Sequence, residues 1–360
     1  VLPPIVITPT VRYTGFMAND RIVIAGASGV IGARAIEALR PRGPVAVLTR
    51  GESGDWPAGV TPFTWDPTAA RAGTAAELDR IAGILDGAAA LVNLAGSSIA
   101  AGRLDAAHRA RVQGSRVDAT TTLVQAAARA AVAPRVWLQG SAVGLYGDRG
   151  DAVLTETSGA GDPSFPLVPT GTAWEAAAAP AAARSRVVVV RFGVVFDREA
   201  EAWRKLLLPV RLFAGGPLGS GRQWMPWVSG RDVGRALAWL LDHDVAGVVN
   251  LTAPEPARQI DVTRAAAKAL GRPVWLPAPA FALRIALGGV ADALLLASQR
   301  VVPARLLEAG FAFEDATIDA AMPDLVYASI EPMAAGPVTA PTAPAAATRR
   351  ALRAVRPRRR

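Results

Sequence analysis

The chain has 360 residues, 51% of them hydrophobic, and a formal net charge of +9. That length can bury a sizeable core as one large domain or two modest ones. With no cysteine and only His108 and His243 for histidine, disulfides, thiolate metal sites, cysteine nucleophiles and a histidine-rich zinc site are excluded.

The charge is unevenly placed. Arg349, Arg350, Arg353, Arg356, Arg358, Arg359 and Arg360 fall in the last twelve residues, and removing those seven charges leaves +2 for residues 1–348. Contact with nucleic acid or an anionic surface is therefore expected only through this tail, not over the body. Absence of disulfides agrees with a reducing cytoplasm, the location expected.

Residues 1–20 show no period, and Pro3, Pro4 and Pro9 break the apolar start, so no secretory signal is read there. They read as a disordered extension, with Met17 as a natural start. From residue 21, short apolar runs alternate with helical stretches. Strands are expected at Arg21–Ala25, Pro44–Thr49, Thr61–Trp65, Ala89–Leu94, Arg135–Gln139 and Arg186–Arg191. Helices are expected at Val30–Arg40, Ala75–Leu85, Leu104–Ala131 and Gly171–Ala183. Apolar strands separated by helices predict an α/β fold with a doubly wound, Rossmann-like parallel sheet.

After residue 192 the rhythm changes. Gly215–Trp227 is rich in Gly, Pro and Trp. A helix over Arg231–Asp242, a strand over Gly247–Leu251 and helices over Asp261–Leu270, Phe281–Ala297 and Pro303–Ala309 follow. Arg284 and Asp292 interrupt the most apolar stretch, so a buried or amphipathic helix is expected there and no membrane span. The organisation read is a sheet domain over 21–192, with the chain free to cross between lobes after 192. A smaller, mostly helical substrate domain covers 193–328, and a disordered Ala/Pro- and Arg-rich tail covers 329–360.

Gly26-Ala27-Ser28-Gly29-Val30-Ile31-Gly32 lies between the first strand and first helix. Glycines there let the backbone turn and approach a pyrophosphate, and the helix N-terminus offers free N–H groups. Ser28 adds a hydroxyl. The second strand ends Leu48-Thr49-Arg50, with no carboxylate for a ribose. A guanidinium at Arg50 suits a 2′-phosphate, so the cofactor expected is NADP(H), held by this loop, Thr49 and Arg50. Arg34 reads as a surface helix arginine. Asn93-Leu94-Ala95-Gly96 ends the fourth strand, where its backbone would line the ribose.

These residues together resemble the extended short-chain dehydrogenase/reductase superfamily. Gly140-Ser141-Ala142-Val143-Gly144-Leu145-Tyr146-Gly147-Asp148, Trp174-Glu175, Gly215–Met225, Asn250–Pro256, Leu276–Phe281 and Gln299–Pro303 narrow the match. They resemble the nucleoside-diphosphate-sugar epimerase-like family of the bacterial YfcH type, with its C-terminal domain of unknown function. The resemblance runs from about residue 21 to about 325. It implies a small-molecule substrate, a sugar nucleotide or another anion, and a homodimer as the oligomer.

In the superfamily, a tyrosine with a lysine four residues later moves the hydroxyl proton. An unperturbed tyrosine needs such a cation to act as a base at neutral pH. The only lysines are Lys205 and Lys268, and Met17, Gly150 and Glu331 stand four positions after Tyr13, Tyr146 and Tyr327. The pair is missing. Ser141 stands where the superfamily serine belongs. Tyr146 reads as an acid/base or as a packing tyrosine; Glu175 as the replacement proton acceptor or as a solvated helix glutamate. Arg222 resembles the arginine that holds a substrate diphosphate, with Trp224 and Trp227 covering the pocket; the same residues also read as a packed hairpin. Departures from the family pattern at Leu145, Ser229 and Asp197–Arg204 leave the local pocket open. Two functions are expected from this: an NADP(H)-dependent oxidoreductase or epimerase with non-standard acid/base residues, or a catalytically weak NADP(H)-binding sensor or scaffold.

Overall fold

The computed structural model describes residues 21–51 and 55–327; the extension expected over 1–20 and the tail expected over 329–360 lie outside the described residues. Seven strands form the central sheet: β1 Ile22–Ala25, β2 Val45–Thr49, β3 Val60–Thr64, β4 Ala90–Asn93, β5 Val136–Ala142, β6 Arg186–Phe192 and β7 Gly247–Leu251. Their order is β7-β6-β5-β4-β1-β2-β3, every pair parallel. Strand order reverses between β1 and β4, and ligands of such sheets sit outside the carboxyl ends at that point.

The longer helices are α1 Val30–Leu39, α2 Ala75–Leu85, α3 Ala106–Arg129, α4 Val168–Ala178, α5 Glu201–Arg211, α6 Gly230–Asp242, α7 Gln259–Leu270, α8 Ala280–Leu287 and α9 Ile318–Val326. Alternate side chains of one strand serve opposite faces. Thus Ile22 and Ile24 pack with Leu39 and Leu237 on the α1/α6 face. Val23 and Ala25 pack with Ile81, Leu85 and Leu123 on the α2/α3 face. A second core joins Phe196, Trp203, Trp227, Val262, Met322 and Leu325. Asp105, Ser229 and Thr317 cap α3, α6 and α9 by accepting backbone N–H bonds.

Strand β7 and helix α6 lie beyond residue 192; β7 pairs with β6 and α6 packs on α1, so the chain returns to the sheet layer there. Three differences from the sequence expectations stand out. The helices α5 and α9 were not expected; each contains a proline, Pro209 or Pro323, in its second half. The helix expected over Phe281–Ala297 is broken at Gly288, whose φ of 60° no ordinary helical residue adopts. Its first half is also exposed: Phe281 is 65% and Ile285 72% accessible. Among the described residues, no helix is long and apolar enough to cross a membrane.

Candidate functional site

The glycine loop separates three jobs. Gly26 has φ 83°, and a Cβ there would stand 2.5 Å from the Leu94 carbonyl oxygen, so this glycine lets β1 turn against the end of β4. At Gly32 a Cβ would stand 2.5 Å from Ala27 Cα, so that glycine seats α1 on its own loop. Gly29 meets nothing within 4 Å. It is the N-cap of α1 and supplies no side-chain cap, and the first turn of α1 holds no acidic residue. The amides of Val30 and Ile31 are thus left for an anion that approaches the helix end. This cradle fits a dinucleotide pyrophosphate.

Thr49 ends β2, and its hydroxyl donates to the Gly51 carbonyl at 3.2 Å. Arg50 follows it, exposed. Arg34 takes no part: it makes a bidentate pair with buried Asp197 at 2.6 and 3.1 Å and a further bond to Glu37. The Asp197 hydrogen bond raises its pKa further above the ordinary arginine value. A cavity of about 390 Å³ beside this pair is lined by Arg34, Asp197, Arg231 and Asp324, whose charges already pair with one another.

At the end of β4, Asn93 is fully buried. Its amide nitrogen donates to Thr120 Oγ1 at 2.9 Å and Gln139 Oε1 at 3.0 Å, while its oxygen accepts the Ala95 N–H at 3.2 Å. The side chain therefore shapes the turn rather than reaching a ligand. The Leu94 N–H bonds Ala25 O at 2.8 Å, which brings this turn beside the glycine loop.

The chemistry-bearing cluster lies at the ends of β5, β6 and β7. Register places Ser141 opposite Arg191, and Arg191 opposite Asn250. Ser141 Oγ donates to Glu175 Oε1 at 2.5 Å. Arg191 holds both oxygens of Glu175, Nε to Oε1 and Nη2 to Oε2, each at 2.8 Å. Burial opposes the Arg191 charge, but Glu175 outweighs it and pushes the guanidinium above its ordinary pKa. The remaining Nη1 donates to Tyr146 Oη at 2.9 Å.

Tyr146 is fully buried. Its hydroxyl sits 2.8 Å from Asn250 Oδ1 and 3.0 Å from the Thr155 carbonyl. Burial pushes its pKa up, more than Arg191 and Asn250 pull it down. A catalytic role for Tyr146 is therefore set aside: its one proton serves interior acceptors, and a rising pKa is the wrong direction for a base at neutral pH. Gly171, one turn before Glu175, leaves no room for a tyrosine, since a Cβ would stand 2.9 Å from Leu145 Cβ.

Arg222 and Trp224 belong to a separate group. Trp224 Nε1 donates to Asp151 at 2.7 Å, and Arg258 and Arg300 lie over its ring at 4.2 and 4.8 Å. Arg258 also bonds Asp151 at 3.1 Å. The Trp224 bond, then Arg258, hold the Asp151 carboxyl below its usual range. Two arginines, Arg258 and Arg222, thus act on one carboxylate. The Arg222 backbone N–H bonds Ser220 Oγ at 3.2 Å; its guanidinium makes no hydrogen bond or salt bridge among the described residues, and its charge acts on Asp151 from a distance. Sequence reading missed Arg191, Arg258 and Arg300. A charged residue closing an interior strand was the available signal for Arg191. Among the described residues, no group of three histidine, aspartate or glutamate side chains could hold a metal.

Comparison with known proteins gives two family matches. Residues 22–252 match the NAD dependent epimerase/dehydratase family, and residues 278–325 match a domain of unknown function, DUF1731. An epimerase family protein of Mycobacterium leprae is 36% identical over 314 residues, covering 86% of this chain and 96% of that protein. The crystal structure of human epimerase family protein SDR39U1 with NADPH superposes with a TM-score of 0.75 at 31% identity, covering 85% of this chain and 99% of the human one. A UDP-N-acetylglucosamine 4-epimerase from Methanobrevibacter ruminantium, in complex with UDP-N-acetylmuramic acid, shares the fold alone: TM-score 0.66, 16% identity, 86% and 98% coverage.

Proposed function

Because the chain belongs to the NAD dependent epimerase/dehydratase family, with a C-terminal DUF1731 domain, we propose that it binds NADP(H) and oxidises or epimerises an anionic small molecule of the sugar-nucleotide kind. The observation that carries the chemistry is the 2.5 Å bond from Ser141 to a Glu175 carboxylate clamped by Arg191.

NADP(H) is supported by Arg50 at the end of β2, by the open N-terminus of α1 at Gly29, and by the NADPH in the human relative. When bound, the nicotinamide supplies hydride transfer. The chain supplies the proton path. Ser141 directs its proton at Glu175, which leaves its oxygen lone pairs to accept from a substrate hydroxyl. As that hydroxyl passes its proton to Ser141, Ser141 passes its own to Glu175. The carboxylate thereby replaces the missing tyrosine and lysine. Arg222, with Arg258 and Arg300 near Trp224, offers positive charge for a diphosphate. The lack of cysteine supports a cytoplasmic location.

A second reading draws on the same clamp. Ser141 and a guanidinium already occupy both oxygens of Glu175, so its acceptor positions are filled by the protein's own donors. That favours an NADP(H)-binding sensor with little turnover. The deciding experiment measures NADPH affinity and then follows NADPH absorbance against carbonyl compounds and sugar nucleotides. The enzyme reading expects turnover that falls in Ser141→Ala and Glu175→Gln while NADPH affinity holds. Tight NADPH binding with no turnover across the screen selects the sensor.

A further inference from the structure

Arg116 stands on α3 one turn before Thr120, the residue that bonds Asn93 at the end of β4. That spacing carries its side chain past the carboxyl end of the sheet, the side on which ligands of open α/β folds lie. The turn after β4 is shaped around it. A Cβ on Gly96 would stand 2.9 Å from Arg116 Cγ and 3.0 Å from its Cζ, so a larger residue there would push the Arg116 side chain aside. The guanidinium also lies over the Trp174 ring, 4.9 Å from its centroid. Gly96 belongs to the turn expected along the cofactor ribose, and Trp174 directly precedes Glu175. Arg116 therefore adjoins both that turn and the residue next to Glu175.

Its partners are weak for a cation so placed. Nη1 donates to the carbonyls of Ser97 at 2.9 Å and Val112 at 3.1 Å. Among the described residues no carboxylate pairs with it, and burial lowers its pKa to about 10. Two other part-buried arginines do find acids: Arg191 has Glu175 and Arg34 has Asp197. A buried cation without a counter-ion is costly, and a guanidinium fork matches a carboxylate or phosphate. Nε and Nη2 make no bond to the described residues, which leaves that side of the fork for a ligand.

We propose that Arg116 binds an oxyanion, carboxylate or phosphate, of a ligand lying beside Gly96. This rests on the NADP(H) reading of the same crevice and deepens it. Two sources share the chemistry: the pyrophosphate of the cofactor and an acidic group on the substrate.

The test uses the full chain with Arg116→Gln, and Arg116→Lys as a second variant that keeps the charge and loses the fork. Each protein is titrated with NADPH and with adenosine 2′,5′-bisphosphate, which lacks the pyrophosphate and the nicotinamide. Inorganic phosphate and malonate are then titrated with and without NADPH. A fall in NADPH affinity of about tenfold or more in Arg116→Gln, with the bisphosphate unaffected, assigns the anion to the cofactor. Unchanged NADPH affinity with a fall of about tenfold or more for phosphate or malonate assigns it to the substrate. Losses below that in every titration overturn the proposal. If the wild type does not bind NADPH, the cofactor reading falls, and Arg116 is judged on phosphate and malonate alone. If Arg116→Gln does not fold, Arg116→Lys is read in the same way with a threshold of about threefold.

Discussion

Arg191 and Ser141 face each other across β5 and β6 and bond the same oxygen of Glu175. The Arg191 and Glu175 side chains are only 9% and 16% exposed. Removing either leaves the other as an uncompensated interior charge. Glu175→Gln and Arg191→Met are each expected to lower the unfolding free energy by about 3 kcal/mol. The double variant loses less than the two losses added. Urea unfolding of the four proteins measures this, and strictly additive losses would show that the pair is not coupled.

The glycine loop predicts a split between folding and binding. Gly32→Ala forces a Cβ onto backbone atoms at 2.5 Å and is expected to cost about 2–3 kcal/mol of stability. Gly29→Ala meets open space and should stay within about 1 kcal/mol of the parent. Its added methyl obstructs the anion at the α1 N-terminus, so NADPH affinity should fall by about tenfold or more. Melting curves and NADPH titrations on the two variants separate the effects. An intact NADPH affinity in Gly29→Ala would remove the loop from the cofactor site.

The NADP(H) proposal assigns the cofactor preference to Arg50. Arg50→Ala should weaken NADPH by about 1.5–3 kcal/mol, the worth of hydrogen bonds to a charged group, and leave NADH nearly unchanged. Parallel titrations with the two dinucleotides check it. Equal losses would assign the 2′-phosphate to another residue.

Tyr146 predicts an alkaline limit. Its pKa in the folded protein is raised by burial above the ordinary tyrosine value near ~10. Between the unfolded and folded values the native state binds more protons than the unfolded state, so stability falls as pH rises. Below the unfolded value the contribution is complete. Unfolding free energies of the wild type should therefore drop as pH climbs past about 10, and the drop should be shallower in Tyr146→Phe. Chemical unfolding across that range reads the slope directly. Identical slopes would mean that Tyr146 titrates normally.

Legibility in the sequence followed the range of the interactions. The loop from Gly26 to Gly32 and the strands beside it are local: glycine spacing and apolar runs encode them without reference to distant residues. Arg50 was visible for the same reason, at the end of a recognisable strand. Arg191 was not. In sequence it merely closes an apolar run, and only the β5–β6 register brings it onto a glutamate borne by a helix. Tyr146 is left open between chemistry and packing by the sequence alone. Its place in the Ser141 segment suggested chemistry, but Arg191 and Asn250 take its hydroxyl into the interior. The arginines over Trp224 depended likewise on contacts between distant segments, Arg258 and Arg300 arriving from different parts of the chain.

The row Ser141–Arg191–Asn250 also bears on how the protein is built. Asn250 enters the sheet only after the chain has left it at Phe192 and returned at Gly247. A fragment ending at 192 would keep the glycine loop, Ser141, Glu175 and Arg191. It would lack the carboxamide that receives Tyr146 and the strand that covers the outer edge of β6. Completion of the Ser141–Glu175–Arg191–Tyr146 cluster is thus tied to the last strand of the sheet, and residues up to 192 are not expected to form it by themselves. Any attempt to swap the second half for another specificity must carry β7 with the first.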